Sequence, residues 1–494
     1  MVERSLLCWL GLAIFLPITG CAQLVGADFD DPRARQPVEE ERSASYLKAL
    51  TPQPEANFGY TLAMDATGLL ATAPFENSNG WPTLPKVGAI YYFDLTRPAR
   101  PPVRIAVPYA KAMDGLIPYE AIPKGFPQGD WGSLRVAMSE QFVVIGVPTE
   151  SGSNGSDTDE PPDDRAPASG AVYVYERSNL DKPVQRIKAP TIETFALFGS
   201  CVSISGSRLA VGAVVEDNPD APDSGAAYVY ELRDGRFDAL HPRRLRPDGA
   251  RDGDQLGATL EIDGNLLVVG APGESDESAA INGDPGGTSL KGAGAAYVYH
   301  WFLDGWELEA RLEPQRPSAF GAFGGAISIS DGRFVVGAPG NSSGCPENAS
   351  AGGAAYVVGK TGGWAIEQCL SSGSGREPVL YGGGLAMRGD RLVVGAAWDN
   401  SGVVGDPTDA SRPYAGAAYI YDRDASGVWK PRQYLKAPNF GANDIFGLSV
   451  ALTPERLVIS APYESGSQTG PDADLLDESA HFAGAAYVIS TDEL

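Results

Sequence analysis

Six of seven copies of a recurring segment place a carboxylate at one fixed offset: Glu76, Glu150, Glu216, Glu274, Asp399 and Glu464, with Asn341 in the fifth copy. Each stands two residues beyond the last position of Gly-Ala-Pro or a variant of it, as in Gly270-Ala271-Pro272-Gly273-Glu274. Carboxylates gathered at one rim are candidate ligands for a divalent cation, calcium first, and candidate acceptors for sugar hydroxyls. Asp157/Asp159 and Asp472/Asp474 could add ligands nearby. The structural alternative is that each acid accepts hydrogen bonds from the backbone N–H groups of its own loop, as Asx-type turns do. The residue types leave both readings open.

Other chemistry finds little material. The chain has three histidines, His241, His300 and His481, at unrelated positions of the repeat, which speaks against a histidine metal cluster. Nucleophile elbows, phosphate loops and dinucleotide fingerprints are absent. What remains for catalysis is a carboxylate-only site of the glycosidase kind. The expectation is therefore a protein that is not an enzyme and has no cofactor.

The elements that must position these acids follow from internal repetition. An aromatic residue or Leu precedes Gly at Phe58, Trp131, Phe198, Leu256, Phe323, Tyr381 and Phe446, at spacings of 58 to 73 residues. An alternating apolar stretch, a tight polar turn and a second apolar run follow each pair, as in Ala326-Ile327-Ser328-Ile329-Ser330-Asp331-Gly332-Arg333-Phe334-Val335-Val336. This pattern predicts two strands joined by a short hairpin. After a variable loop comes Gly-Ala-Ala-Tyr or a relative of it, beginning at Gly88, Gly170, Gly225, Gly294, Gly353, Gly416 and Gly484. A looser fourth strand ends near Pro, as in Arg311-Leu312-Glu313-Pro314 and Tyr434-Leu435-Lys436-Ala437-Pro438. The pattern predicts an all-β, seven-bladed β-propeller over residues 45–494, with four antiparallel strands per blade. Arg388-Gly389-Asp390 falls on one of the tight turns and is read as turn chemistry.

The last copy ends at the acidic tail, residues 491–494, after only three strands. Near the start, Tyr46-Leu47-Lys48-Ala49 repeats Tyr434-Leu435-Lys436-Ala437 of the sixth copy's fourth strand. Residues 45–52 are thus expected to supply the missing strand beside Ala485 to Ile489 and close the ring.

The paired Phe-Gly and Gly-Ala-Pro elements resemble FG-GAP repeats, known from integrin α-subunit propellers and bacterial surface proteins. The resemblance runs from Phe58 to the end of the chain and implies the propeller fold. It does not carry over the calcium loops of integrins, because the Asp-x-Asp-x-Asp-Gly string is missing from every copy.

Loops after the second and fourth strands belong on one face and tight turns on the other. The long acidic loops, residues 149–169, 273–293 and 463–483, and an insertion at residues 109–130 fall on the first of these faces. Tyr109, Tyr119 and Phe126 of the insertion are candidate partner contacts, since binding groups concentrate on loops held by a rigid scaffold. Cys345, in the long loop of blade five, and Cys369, near the end of its fourth strand, approach the same face and are expected to form a disulfide. Cys201 reads as a small buried residue.

Residues 1–20 read as targeting. Arg4 precedes an apolar run from Leu6 to Leu16, too short to span a bilayer. Ile18-Thr19-Gly20-Cys21 resembles a bacterial lipobox, which implies a lipoprotein signal peptide cut before a lipid-carrying Cys21. By the same resemblance, Ala22 and Gln23 after the cysteine point to the outer membrane. Residues 21–44 are polar and charged, and read as a lipidated flexible tether. Lys and Arg number 38 against 63 Asp and Glu, a net charge of −25. That field repels nucleic acid and anionic lipid, leaving the lipid on Cys21 as the membrane contact. The sequence thus predicts a lipid-anchored envelope propeller that binds or scaffolds a protein or an extracellular polysaccharide. The alternative is an envelope hydrolase or lyase acting on glycans with loop carboxylates.

Overall fold

The computed structural model describes residues 45–77, 88–105, 134–156, 162–275, 290–314, 316–343, 345, 352–373, 379–468, 474 and 477–494. Within them the chain forms seven antiparallel sheets arranged as blades. In the fourth blade, Thr259–Asp263 is the innermost strand, followed outward by Leu266–Ala271, Ala295–Phe302 and Gly305–Leu312. The second strands, such as Leu266–Ala271 and Arg456–Ala461, are buried along nearly their whole length, as expected where both sheet faces pack on neighbouring blades.

The seventh sheet joins the two ends of the described chain. Ser45–Leu47 lies beside Ala485–Ser490, with Ser45 opposite Val488, Tyr46 opposite Tyr487 and Leu47 opposite Ala486. The remaining strands of that blade are Arg456–Ala461 and Val450–Leu452. The expected ring closure is therefore present, and no blade is left with an unpaired third strand.

Among the described residues, the aromatic-Gly pairs join neighbouring blades. The Phe198 ring packs with Val172 and Val174 of blade two and with Tyr228 of its own blade, in one buried cluster. Phe58 bridges blades seven and one in the same way, against Val458 and Ala486. The backbone joins too: Phe198 N–H donates to Ser169 O, Leu256 N–H to Ser224 O, Phe323 N–H to Ala293 O and Phe58 N–H to Ala483 O, at 2.8–3.2 Å. The glycines meet each other. A Cβ built on Gly212, of the second strand in blade three, would lie 2.0 Å from the carbonyl oxygen of Gly257 in blade four. Gly257 itself sits at φ +83°, where an L side chain is strained. The two repeat glycines are thus one contact between successive blades.

Blade two departs from the spacing. Arg135 stands opposite Gly146 as Cys201 stands opposite Gly212, three residues after Phe198. Arg135 lies four residues after Trp131, so the Trp131-Gly132 pair is one residue out of step with the other copies.

The innermost strands surround a cavity of about 1390 Å³ on the ring axis. Side chains sew neighbouring inner strands together there. Ile262 N–H donates to Ser203 Oγ, Met387 N–H to Ser328 Oγ and Leu62 N–H to Ser449 Oγ, at 3.0–3.2 Å. These bonds satisfy inner-edge donors that have no strand to pair with.

Candidate functional site

The acids of the repeat lie at the start of the loop between the second and third strands, on the face that carries the long loops. All six, and Asn341, are buried. Their backbones form a repeated turn: the carbonyl of each accepts from the Gly that opens the third strand, as with Gly88 N–H to Glu76 O and Gly484 N–H to Glu464 O. Their carboxylates have another role. Tyr91 Oη donates to Glu76 Oε2 at 2.7 Å, Tyr228 Oη to Glu216 Oε2 at 2.7 Å and Tyr297 Oη to Glu274 Oε2 at 2.8 Å. Cations of the fourth strand supply the second partner. Arg104 Nε reaches Glu76 at 2.8 Å, Arg244 Nε reaches Glu216 at 2.9 Å and Arg311 Nε reaches Glu274 at 3.0 Å. Glu150 takes both Arg186 at 2.6 Å and Lys188 at 2.5 Å.

Blades six and seven use Tyr and Lys where the others use Arg. Tyr434 Oη donates to Asp399 Oδ1 at 2.8 Å and Lys436 Nζ to the same oxygen at 3.1 Å. In blade seven Tyr46 Oη donates to Glu464 Oε1 at 2.8 Å and Lys48 Nζ pairs with Glu464 Oε2. Each acid therefore fastens its loop to the fourth-strand segment, and in blades one, three, four and six also to a third-strand tyrosine. The sequence reading assigned loop N–H groups to the carboxylates as the structural alternative. In the structure that alternative holds for Asp399, whose Oδ1 accepts the Ser401 N–H at 3.0 Å. All six side chains also turn inward to Tyr, Arg or Lys, because burial demands a counter-charge that an N–H group does not provide.

Blade five lacks the acid and also lacks the cation. The fourth-strand residue opposite Tyr356 is Cys369, the place taken by Arg104, Arg186, Arg244 and Arg311 in blades one to four. Cys369 is joined to Cys345 of the loop by a disulfide with Cα atoms 5.6 Å apart. Asn341 Nδ2 donates to Tyr356 Oη at 2.7 Å. A covalent bond thus ties loop to strand where the ion pair is missing. This substitution was readable: Gln368-Cys369-Leu370-Ser371 has no Arg or Lys where the other fourth strands do, in the one copy with Asn instead of an acid.

Above these fasteners the loop-face mouth of the axial cavity has two unlike walls. Blades six, seven and one contribute aromatic pairs. Trp398 and Tyr414 lie edge-on with ring centroids 5.8 Å apart, Tyr463 and Phe482 5.0 Å apart, and Tyr60 and Phe75 6.4 Å apart. Blades three and four contribute Asp223 and Asp252, together with Lys291, to the cavity lining. Asp223 occupies the place of Tyr414 and Phe482, two residues before the Gly of the third strand. Burial raises its carboxyl above the usual range, and the charges of Asp217 and Asp252 add to the effect. Close by, Glu193 accepts the Asp217 N–H at 3.1 Å, and burial pushes its carboxyl up to about 7. Of the 18 described non-glycine residues with positive φ, all but Asp234, Leu303 and Asp331 are on this loop face. They include Phe320 at 70° and Tyr414 at 52°, whose counterparts Phe195, Asn443 and Phe482 are left-handed as well, so the conformation belongs to the repeated turn.

Among the described residues, no group of three or more His, Cys, Asp or Glu side chains is placed to hold a metal ion. Tyr109, Tyr119, Phe126, Cys21, Asp157, Asp159 and Asp472 lie outside the described residues. Sequence reasoning missed the aromatic wall. Its signal was present in the residue just before each acid, which is Phe75, Trp398 or Tyr463 in three neighbouring blades and small or non-aromatic in the others.

The FG-GAP repeat family matches residues 183–230 and 306–358. Both matches begin in or just before a fourth strand and run through the next blade's first three. The described chain opens in the same phase, with Ser45–Leu47 as a fourth strand. No curated protein matches significantly. Among solved structures, an acylaminoacyl peptidase from Pyrococcus horikoshii aligns at 12% identity with a TM-score of 0.42, over 85% of this chain and 50% of that one. This chain thus spans half the length of that peptidase. The β-propeller domain of the Trilobed protease from Pyrococcus furiosus, described as having an open velcro topology, aligns at 9% identity with a TM-score of 0.41. That alignment covers 90% of this chain and 98% of the domain.

Proposed function

Taking the chain as the FG-GAP repeat β-propeller that its matched repeats and seven blades make it, we propose a non-catalytic binding module of the bacterial cell envelope, anchored by lipid on Cys21, whose loop-face mouth takes an extracellular polysaccharide. The observation that carries this reading is the pairing of an aromatic wall on blades six, seven and one with a carboxylate wall on blades three and four. Aromatic rings offer flat apolar faces to sugar rings, and carboxylates accept from hydroxyls. The six repeat acids are occupied below this surface and serve to hold it. Calorimetric titration with the polysaccharide fraction of the envelope is expected to give heat, reduced about tenfold or more in affinity by Trp398→Ala combined with Tyr463→Ala. Binding that ignores these changes, or capture of a protein partner in its place, contradicts the polysaccharide assignment.

One observation favours the hydrolase or lyase reading: the raised carboxyl of Asp223 beside Asp252 at the rim of a concavity. That reading requires release of new sugar ends from the same fraction, abolished by Asp223→Asn. Binding without turnover favours the binding module.

A further inference from the structure

The opposite face is built from the tight turns between first and second strands and the hairpins between third and fourth. Its hairpin tips are mostly polar, with Asp234-Gly235 in blade three and Thr361-Gly362-Gly363 in blade five. Blade four instead presents Trp301-Phe302-Leu303-Asp304-Gly305-Trp306. Leu303 is 85% exposed and Phe302 56% exposed. Leu303 holds φ 52°, a place in a two-residue hairpin that suits Asn, Asp or Gly. The tip has a rigid base. Arg208 stacks over the Trp301 ring at 4.6 Å, and its Nη1 donates to Gly264 O at 2.9 Å. Leu240, 83% exposed, lies three residues before Arg243 of blade three, whose Nη2 donates to Asp304 O of this tip at 3.3 Å.

The described chain begins on this same face. Ser45 stands opposite Val488, near the end of the third strand of blade seven, where other blades place their hairpins. Blade seven lies across the ring from blade four. Cys21 precedes Ser45 by 45 − 21 = 24 residues. Such a length reaches about 80 Å at full extension and roughly 25–30 Å as a flexible coil.

We propose that Phe302, Leu303 and Leu240 insert into the surface of the phospholipid bilayer that holds the Cys21 lipid. The propeller is then attached at two points, on opposite sides of one face, and its loop-face mouth looks away from the membrane. Both the choice of a bilayer as the occupant and the orientation rest on the lipid reading of Cys21. A net charge of −25 makes this an apolar contact, favoured on zwitterionic and opposed on anionic headgroups.

The test uses the unlipidated chain from Ala22 onward, which contains the whole closed ring. It is sedimented with phosphatidylcholine vesicles and with vesicles enriched in phosphatidylglycerol. Partition into phosphatidylcholine is expected, with a blue shift of tryptophan emission, and weaker partition at higher phosphatidylglycerol. Phe302→Ser with Leu303→Asn should lower partition about tenfold or more. Asn accepts the backbone of position 303, and Leu240→Ser provides a second variant away from the hairpin turn. No partition, partition unchanged in both variants, or stronger binding to phosphatidylglycerol overturns the proposal. So does a self-association lost in the same variants, which assigns the patch to a second copy of the chain. Polysaccharide binding measured on these variants separates this contact from the loop face, and acyl labelling of Cys21 tests the anchor alone.

Discussion

Blades five and seven fasten the same loop to the same strand by different means. In blade five the tie is the disulfide between Cys345 and Cys369. In blade seven it is the buried pair of Lys48 with Glu464, supported by Tyr46. Lys48 and Glu464 come from opposite ends of the described chain, so the blade-seven tie also holds the ring shut. The difference shows what the acid does in the other copies. Where it is absent, a bond with no ligand-binding capacity stands in its place, so the repeated carboxylate is a mechanical part. Buried ion pairs contribute little net stability beyond what apolar packing would give, yet breaking one strands a charge.

Deleting residues 45–52 removes the whole blade-seven tie and exposes the edge of Ala485–Ser490. The largest effect is expected here: loss of a cooperative melting transition or a large fall in Tm, followed by circular dichroism. An unchanged Tm would mean that the ring does not depend on closure.

Lys48→Met breaks the pair together with the Lys48 bond to the Gly466 carbonyl. It leaves Glu464 buried with Tyr46 and Asn439 as partners, at a cost of about 3–5 kcal/mol by denaturant unfolding. Adding Glu464→Gln should recover part of that loss, and no recovery would count against an uncompensated charge as the cause.

The blade-five tie should be worth slightly less. Cys345→Ser with Cys369→Ser removes a link across 24 residues of sequence, for about 3 kcal/mol. Reductant should lower the Tm of the wild-type chain and leave that of the double variant unchanged. A wild-type Tm indifferent to reductant breaks the equivalence of the two blades.

A smaller effect sharpens the picture of blade seven. Burial pushes the Asp444 carboxyl up to about 8, with the charges of Glu464 and Glu478 adding to the rise. The folded pKa lies above the unfolded value of about 4. The stability contributed by the retained proton is therefore full below about pH 4 and is lost as pH rises towards 8. Asp444→Asn should raise Tm at pH 8, change it little at pH 4, and flatten the slope between them. An equal shift at both pH values would point to packing instead of protonation.

Much of this architecture is legible in the sequence because the repeat fixes it. The alternating runs around Asp331-Gly332 and Ser205-Gly206 dictate hairpins, and the likeness of Tyr46-Leu47-Lys48 to Tyr434-Leu435-Lys436 announces the closing strand. The fasteners were half visible. Acids and fourth-strand cations both recur, but their meeting depends on antiparallel register, which brings Arg104 opposite Tyr91 and so to Glu76. The mouth was hardest to foresee. Trp398, Tyr463 and Phe75 come from three separate repeats, and only the circular order of blades six, seven and one gathers them into one wall.

The most direct measurement is hydrogen–deuterium exchange of the chain from Ala22 onward, with and without the envelope polysaccharide fraction. The account predicts protection centred on the loops around Trp398, Tyr414, Tyr463 and Asp223, with the hairpin of Phe302 and Leu303 unchanged. Protection confined to that hairpin, or spread evenly with none at the mouth, would contradict it.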